Sequence, residues 1–200
     1  MDIAKIEQVA RDAMEQRQDP REREPGWLYY HGRRTAKLAL WLCNELGSGA
    51  DRDTLYAGGL FHDIGKGADD HHRAGADRAR KLLKGMCTPE ELDAVCDIVA
   101  RHCLRTHTPD LSEPVMIVQD ADVLDHFGVI EPWLAFYWSG RHGESFNDHV
   151  RFKAGEGSIF HRRKMRSMLN YEPAKRMFDE RLAFEEEFFA RFHRVYREGV

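Results

Sequence analysis

The sequence predicts an all-α fold, a helical bundle with a C-terminal helical extension. Three observations predict it. Apolar residues recur at steps of three and four in segment after segment. Start and stop signals for helices bracket those segments. No stretch alternates apolar and polar residues for the length of a convincing strand. With 200 residues, the chain is long enough for one domain with a real core.

The elements follow in order. Residues 2–16 place Ile3, Ile6, Val9, Ala10 and Ala13 at helical spacing. The charged, Pro-containing run QDPREREPG, 18–26, reads as a connector. From Trp27 to Leu46, the residues Leu28, His31, Thr35, Leu38 and Leu42 form one stripe, and Gly47 and Gly49 end the helix. A short helix is expected over 52–64, a loop at GKGADD, and a helix over 70–84 that stops at Gly85. Thr88-Pro89-Glu90-Glu91 combines a capping residue, proline at the first helical position and acids in the first turn. The helix it starts should run to about Arg105, with Leu92, Val95, Val99 and His102 on one stripe. Pro109 and Pro114 punctuate the next turn. Residues 114–127 are apolar on nearly all sides, which predicts a central helix. The segment 139–157 is Gly-rich and poorly periodic and reads as a loop near the mouth of a site. Helices over 158–169 and 173–197 close the chain, with Met177, Phe184, Phe188 and Phe192 as the expected core stripe of the last.

Composition excludes several classes. The chain is 42% hydrophobic and 32% charged, with a formal charge of -4. That is an ordinary globular balance, with no global basic field to draw the protein to nucleic acid. No window approaches a membrane span. The opening MDIAKIEQVARDAMEQ lacks the basic flank and apolar run of a signal peptide, so a cytoplasmic location is expected. Cys43, Cys87, Cys96 and Cys103 form no CxxC pair and read as buried free thiols in a reducing compartment. The basic run HRRKMR, 161–166, reads as a solvated helix face.

The 11 histidines are the unusual count. FHDIGKG, 61–67, sets His62 beside Asp63, then Gly65, then Lys66. Adjacent side chains on a helix do not face each other, but at a helix end the turning backbone lets both meet one ion. Imidazole with carboxylate suits a divalent metal. Gly65 permits a tight turn, and Lys66 is placed to meet an anion. His31 lies on the apolar stripe of its helix. Asp122 lies on an otherwise apolar helix, where a buried carboxylate needs a cation or several donors. In QDADVLD, 119–125, Asp120 and Asp122 point to opposite faces, whereas Asp125 and His126 share the side of Asp122. These two are candidates for substrate contact or for support of the ligands, and Asp120 for a structural role.

His31, then His62-Asp63, then Asp122 resembles the H…HD…D signature of the HD superfamily of metal-dependent phosphohydrolases. The likeness spans about residues 25–130. The run FHRRKMRSMLNYEPAKRMFDERLAFEEEFFARF resembles the tail of small stand-alone bacterial HD hydrolases. The resemblance implies one HD-type domain over 1–200, with an extension from about 158. It implies a divalent metal (Mn, Mg, Ni, Co, Fe or Zn) on His31, His62, Asp63 and Asp122. It also implies that Asp63 orients the nucleophile and that Lys66 holds a phosphate. The expected substrate is a small phosphorylated molecule, a nucleotide by resemblance. His71 and His102 are candidates for a second ion or for substrate contact. His107, His142, His149 and His161 are read as surface. Arg33, Arg34 and Lys37 could bring local positive charge. The alternatives are a catalytically silent module that binds a nucleotide or partner, and a di-iron enzyme of the oxygenase type.

Overall fold

A computed structural model of the chain describes residues 1–18, 23–105 and 110–199. The expected turn at Pro109, the surface assignment of His107 and the middle of the first connector lie outside the described residues. Among the described residues the fold is all-α, as expected, with ten helices. Among the described residues no helix is long and apolar enough to cross a membrane. The chain divides into two compact units, Met1–Asp125 and His126–Val200.

The first unit holds α1 (Ile3–Met14), α2 (Trp27–Leu46), α3 (Arg52–Phe61), α4 (His71–Leu83), α5 (Pro89–Arg101) and α6 (Glu113–Asp125). Each begins and ends for local reasons. Asp2 and Asp51 cap α1 and α3 by accepting from main-chain N–H groups three residues on. Thr88 and Glu91 form a full capping box at α5, with Pro89 just inside. Gly47 ends α2 in the left-handed conformation. α2 is the hub and packs on α3 and α6, while α5 packs on α3 and α4. Ile6 and Met14 are fully buried and fasten α1 to this core. Each such side chain stabilises by roughly 1.5–3 kcal/mol.

Two glycines set how close the helices come. A Cβ on Gly32 of α2 would collide with the Leu60 carbonyl of α3. A Cβ on Gly65 would collide with the His71 carbonyl at the start of α4. Both neighbours are backbone and cannot swing aside, so these positions tolerate no side chain. Gly32 follows His31 and Leu60 precedes His62 by two residues, so this contact brings the two histidines together.

The second unit holds α7 (Ile130–His142), α8 (Phe146–Ala154), α9 (Glu156–Ser167) and α10 (Glu172–Glu198). Three sequence expectations are corrected here. The segment 139–157 is mostly helical: α7 continues to His142 and α8 occupies its middle. Ser145 and Asp148 form a capping box at α8, a local signal that outweighs weak apolar periodicity. On α10 the buried positions are Ala174, Phe178, Glu185 and Phe189, one residue off the expected stripe, and Phe184 is exposed. The helix packs through an aromatic cluster, in which Phe136 of α7 meets Phe189 and Phe192 at ring distances of 6.1 and 4.9 Å. His149 is buried among these rings, not on the surface. Burial pushes its imidazole down to about 4, so it is neutral at pH 7.

Candidate metal centre

His31 comes from the second turn of α2. His62 is the C-cap of α3, and Asp63 follows where the chain turns. That turn is a run of short loops, with Ile64 N–H donating to Phe61 O and Lys66 N–H to Asp63 O. Two arginines pin it: Arg17 donates to the Ile64 and Lys66 carbonyls, and Arg78 donates to Ile64 O at 3.1 Å. Asp122 comes from α6. The four predicted ligands therefore arrive from three elements that pack together.

Their reactive atoms converge. His31 Nε2 lies 3.1 Å from His62 Nε2, 3.2 Å from Asp122 Oδ1 and 3.9 Å from Asp63 Oδ2. His62 Nε2 lies 3.8 Å from Asp63 Oδ2 and 3.5 Å from Asp122 Oδ1. Ligands bonded to one ion at about 2.0–2.2 Å stand about 3–3.5 Å apart when adjacent. The observed separations match that spacing with little adjustment.

The other ring nitrogens explain why. His62 Nδ1 is 2.7 Å from the Gly59 carbonyl. A carbonyl only accepts, so Nδ1 carries the proton and Nε2 presents its lone pair. His31 Nδ1 donates in the same way to Asp125 Oδ2 at 2.7 Å. Asp125 is itself held by a two-pronged contact from Arg34, at 2.8 and 3.0 Å. Two buried imidazole lone pairs thus face each other at 3.1 Å, which is repulsive unless a cation or proton sits between them. Burial opposes charge on His31, but hydrogen bonds to Asp122 and Asp125 outweigh it and lift the ring to about 9. The site attracts positive charge. Trp27 stacks on the His31 ring at 5.7 Å and 13° and fixes its plane.

Asp63 is buried, which alone would raise its pKa. His62, His102 and Lys66 hold it well below the ordinary carboxylate value. Lys66 Nζ sits 3.0 and 2.8 Å from its two oxygens. Asp122 is not the fully buried carboxylate that the sequence suggested. Its side chain is 16% exposed, and Arg105 pairs with it while also donating to Gln119 O at 2.8 Å. Asp120 is fully buried on the other side of α6. His126 opens the second unit and is half-buried.

A second group of donors adjoins the first. His102 is the C-cap of α5, its Nδ1 donates to Val99 O at 2.8 Å, and its Nε2 lies 3.5 Å from Asp63 Oδ1. His71, the first residue of α4, stands with its ring 5.5 Å from that of His102. Asp63 thus turns one oxygen toward each group. α5 ends at Arg101, earlier than expected, which puts His102 on a turn.

Sequence reasoning missed Arg105, Arg17, Arg78 and Trp27 and left the side of Arg34 open. Only Trp27 offered a signal, four residues before His31 on one helical face. Arg33 pairs with Glu7, away from these ligands.

Residues 28–126 match the family model described as HD domain. Solved structures share the fold along nearly the whole chain. A predicted HD superfamily hydrolase from an uncultured Thermotogales bacterium has a TM-score of 0.67 at 23% identity, covering 96% of this chain and 92% of that one. An HD-superfamily hydrolase from Bacillus thuringiensis has a TM-score of 0.69 at 22% identity, covering 98% and 97%. Bacillus subtilis YpgQ in complex with ADP has a TM-score of 0.69 at 20% identity, covering 98% and 95%.

Proposed function

We propose that this chain, which carries an HD domain across residues 28–126, is a metal-dependent phosphohydrolase acting on a phosphate ester or anhydride of a small molecule. The observation that carries the reading is the pair of anchored imidazoles, whose Nε2 atoms meet at 3.1 Å beside two carboxylates. His31, His62, Asp63 and Asp122 would hold the ion, and a set of two imidazoles and two carboxylates suits Mn, Fe, Co, Ni or Zn. The metal would supply a lowered pKa for bound water and stabilisation of charge on phosphoryl oxygens.

The chain's own residues do the rest. Asp63 orients the attacking water through its carboxylate, which stays ionised at neutral pH. Lys66, within 3.0 Å of that carboxylate, meets a phosphate oxygen as a point charge. Asp125 and Arg34 keep the His31 ring turned toward the centre. A nucleotide is the favoured substrate class, because a relative of the same fold was crystallised with ADP. Alignment along nearly the full length of such relatives supports reading the second unit as an extension of one HD-type domain. Four free thiols fit a reducing, cytoplasmic setting.

The test is a panel of nucleoside mono-, di- and triphosphates and generic phosphoesters, assayed with metal-loaded protein. His62→Ala is expected to lose both bound metal and activity. Full activity in His62→Ala with metal still bound would overturn the site. Turnover of no phosphate substrate, with metal bound, would favour a silent binding module. The donors His71 and His102 favour a second ion beside Asp63. Two irons per chain with oxygen uptake would move the assignment to an oxygenase.

A further inference from the structure

The geometry points to Cys103 as a thiolate ligand for a second cation, held with His71 and His102 and sharing Asp63, in a position that selects Zn, Co, Fe or Ni over Mg or Ca. This rests on the metal-dependent reading above and narrows it.

The ligand atoms of His71, His102 and Cys103 all lie within 4.8 Å of one another. His102 has its Nδ1 committed to Val99 O, so Nε2 is the atom it offers, 3.5 Å from Asp63 Oδ1. His71 stands at the first position of α4, and Cys103 follows the C-cap of α5. Gly75 in the first turns of α4 passes close to Val99 near the end of α5, which brings these two helix ends together. Among the described residues, no other cysteine joins such a cluster. Cys43, Cys87 and Cys96 each donate to a main-chain carbonyl, at 3.7, 3.7 and 3.6 Å.

Two imidazoles, a thiolate and a carboxylate form a mixed nitrogen–sulfur–oxygen set of four, the kind that borderline ions take in tetrahedral form. Mg and Ca ask for oxygen donors and gain little from sulfur. Ligands of one tetrahedral ion stand about 3.5 Å apart, so the group must contract by about an ångström. His71 and Cys103 are both only half-buried and have room to turn inward. As the Sγ–metal bond forms, the S–H bond breaks and its proton passes to solvent.

The experiment is a Co(II) titration of the full chain, read by its electronic spectrum. The first equivalent is expected to give visible ligand-field bands, and the second an intense near-ultraviolet band of thiolate-to-cobalt charge transfer. Cys103→Ser should abolish the near-ultraviolet band and keep the visible ones. Cys87→Ser should keep both. A parallel measurement on the unaltered chain covers the case of a misfolded variant: Zn(II), but not Mg(II), should slow alkylation of Cys103 at least tenfold, followed by mass spectrometry. Cobalt binding without the near-ultraviolet band, a band that survives in Cys103→Ser, or equal alkylation with and without zinc would overturn the thiolate and leave the first site standing. No cobalt binding at all would overturn both.

Discussion

His31 divides its work between two nitrogens. Nδ1 is spent on Asp125, and that contact settles which way Nε2 points and which tautomer offers a lone pair. Asp125 therefore holds a proposed ligand in place; the sequence alone left it open between support and substrate contact. Asp125→Asn keeps the shape but weakens the anchor and its negative charge. Metal affinity is expected to fall 10–100-fold, read by competition with a chelating dye. An unchanged affinity would mean that Trp27 stacking alone holds the ring. The His62-Asp63 pair was legible because both residues sit in one short motif. Arg105 was not, because it meets Asp122 from 17 positions away, and no local spacing encodes a contact between different elements.

Helices were legible where apolar periodicity and caps agreed. The limits of α2 match the expected span of Trp27 to Leu46. Apart from the early end of α5, the misreadings fall where aromatic packing rather than aliphatic periodicity builds the core, at α7, α8 and α10. Aromatic rings reach sideways, so the buried line of α10 cannot be read from the largest residues alone. Within that line lies Glu185, buried, with one oxygen accepting from Gly128 N–H at 2.6 Å. Burial lifts its carboxyl to about 7, against the opposing pull of Gly128. The folded pKa exceeds the unfolded one, so the stability it contributes is complete below about pH 4.5 and is lost as pH rises through about 7. Glu185→Gln, which keeps an acceptor for Gly128, should remove this pH dependence. At pH 8 it should stabilise the second unit by on the order of 3 kcal/mol. Thermal midpoints of both proteins between pH 5 and 8 check this; parallel curves would refute it.

At the scale of the molecule, chemistry and bulk are distributed unequally. The four proposed ligands of the first ion lie within Met1–Asp125, on α2, on α6 and at the end of α3. An ion bound by the folded form alone stabilises it by about 2.7 kcal/mol at a hundredfold excess over Kd. That energy belongs to the unit that binds. Removing metal with a chelator should speed amide exchange in α2, α3 and α6 and leave α8 and α9 unchanged, as read by hydrogen–deuterium exchange. Uniform loosening along the chain would mean that the ion stabilises more than its own unit. The all-helical class was legible at this scale from apolar period and helix start and stop signals. The division near Asp125 was not, because α6 runs up to it with no glycine or proline to mark a boundary until Gly128.

The stacking of Trp27 on His31 gives the protein an intrinsic optical reporter. The indole is 2% exposed, lies 5.7 Å from an imidazole of the centre and is shielded from solvent changes elsewhere. A paramagnetic ion on that imidazole drains the excited state of the ring beside it, whereas a closed-shell ion does not. In a variant that keeps Trp27 alone of the four tryptophans, the emission of one buried residue would therefore distinguish nickel or cobalt from zinc at the proposed centre, without an added dye.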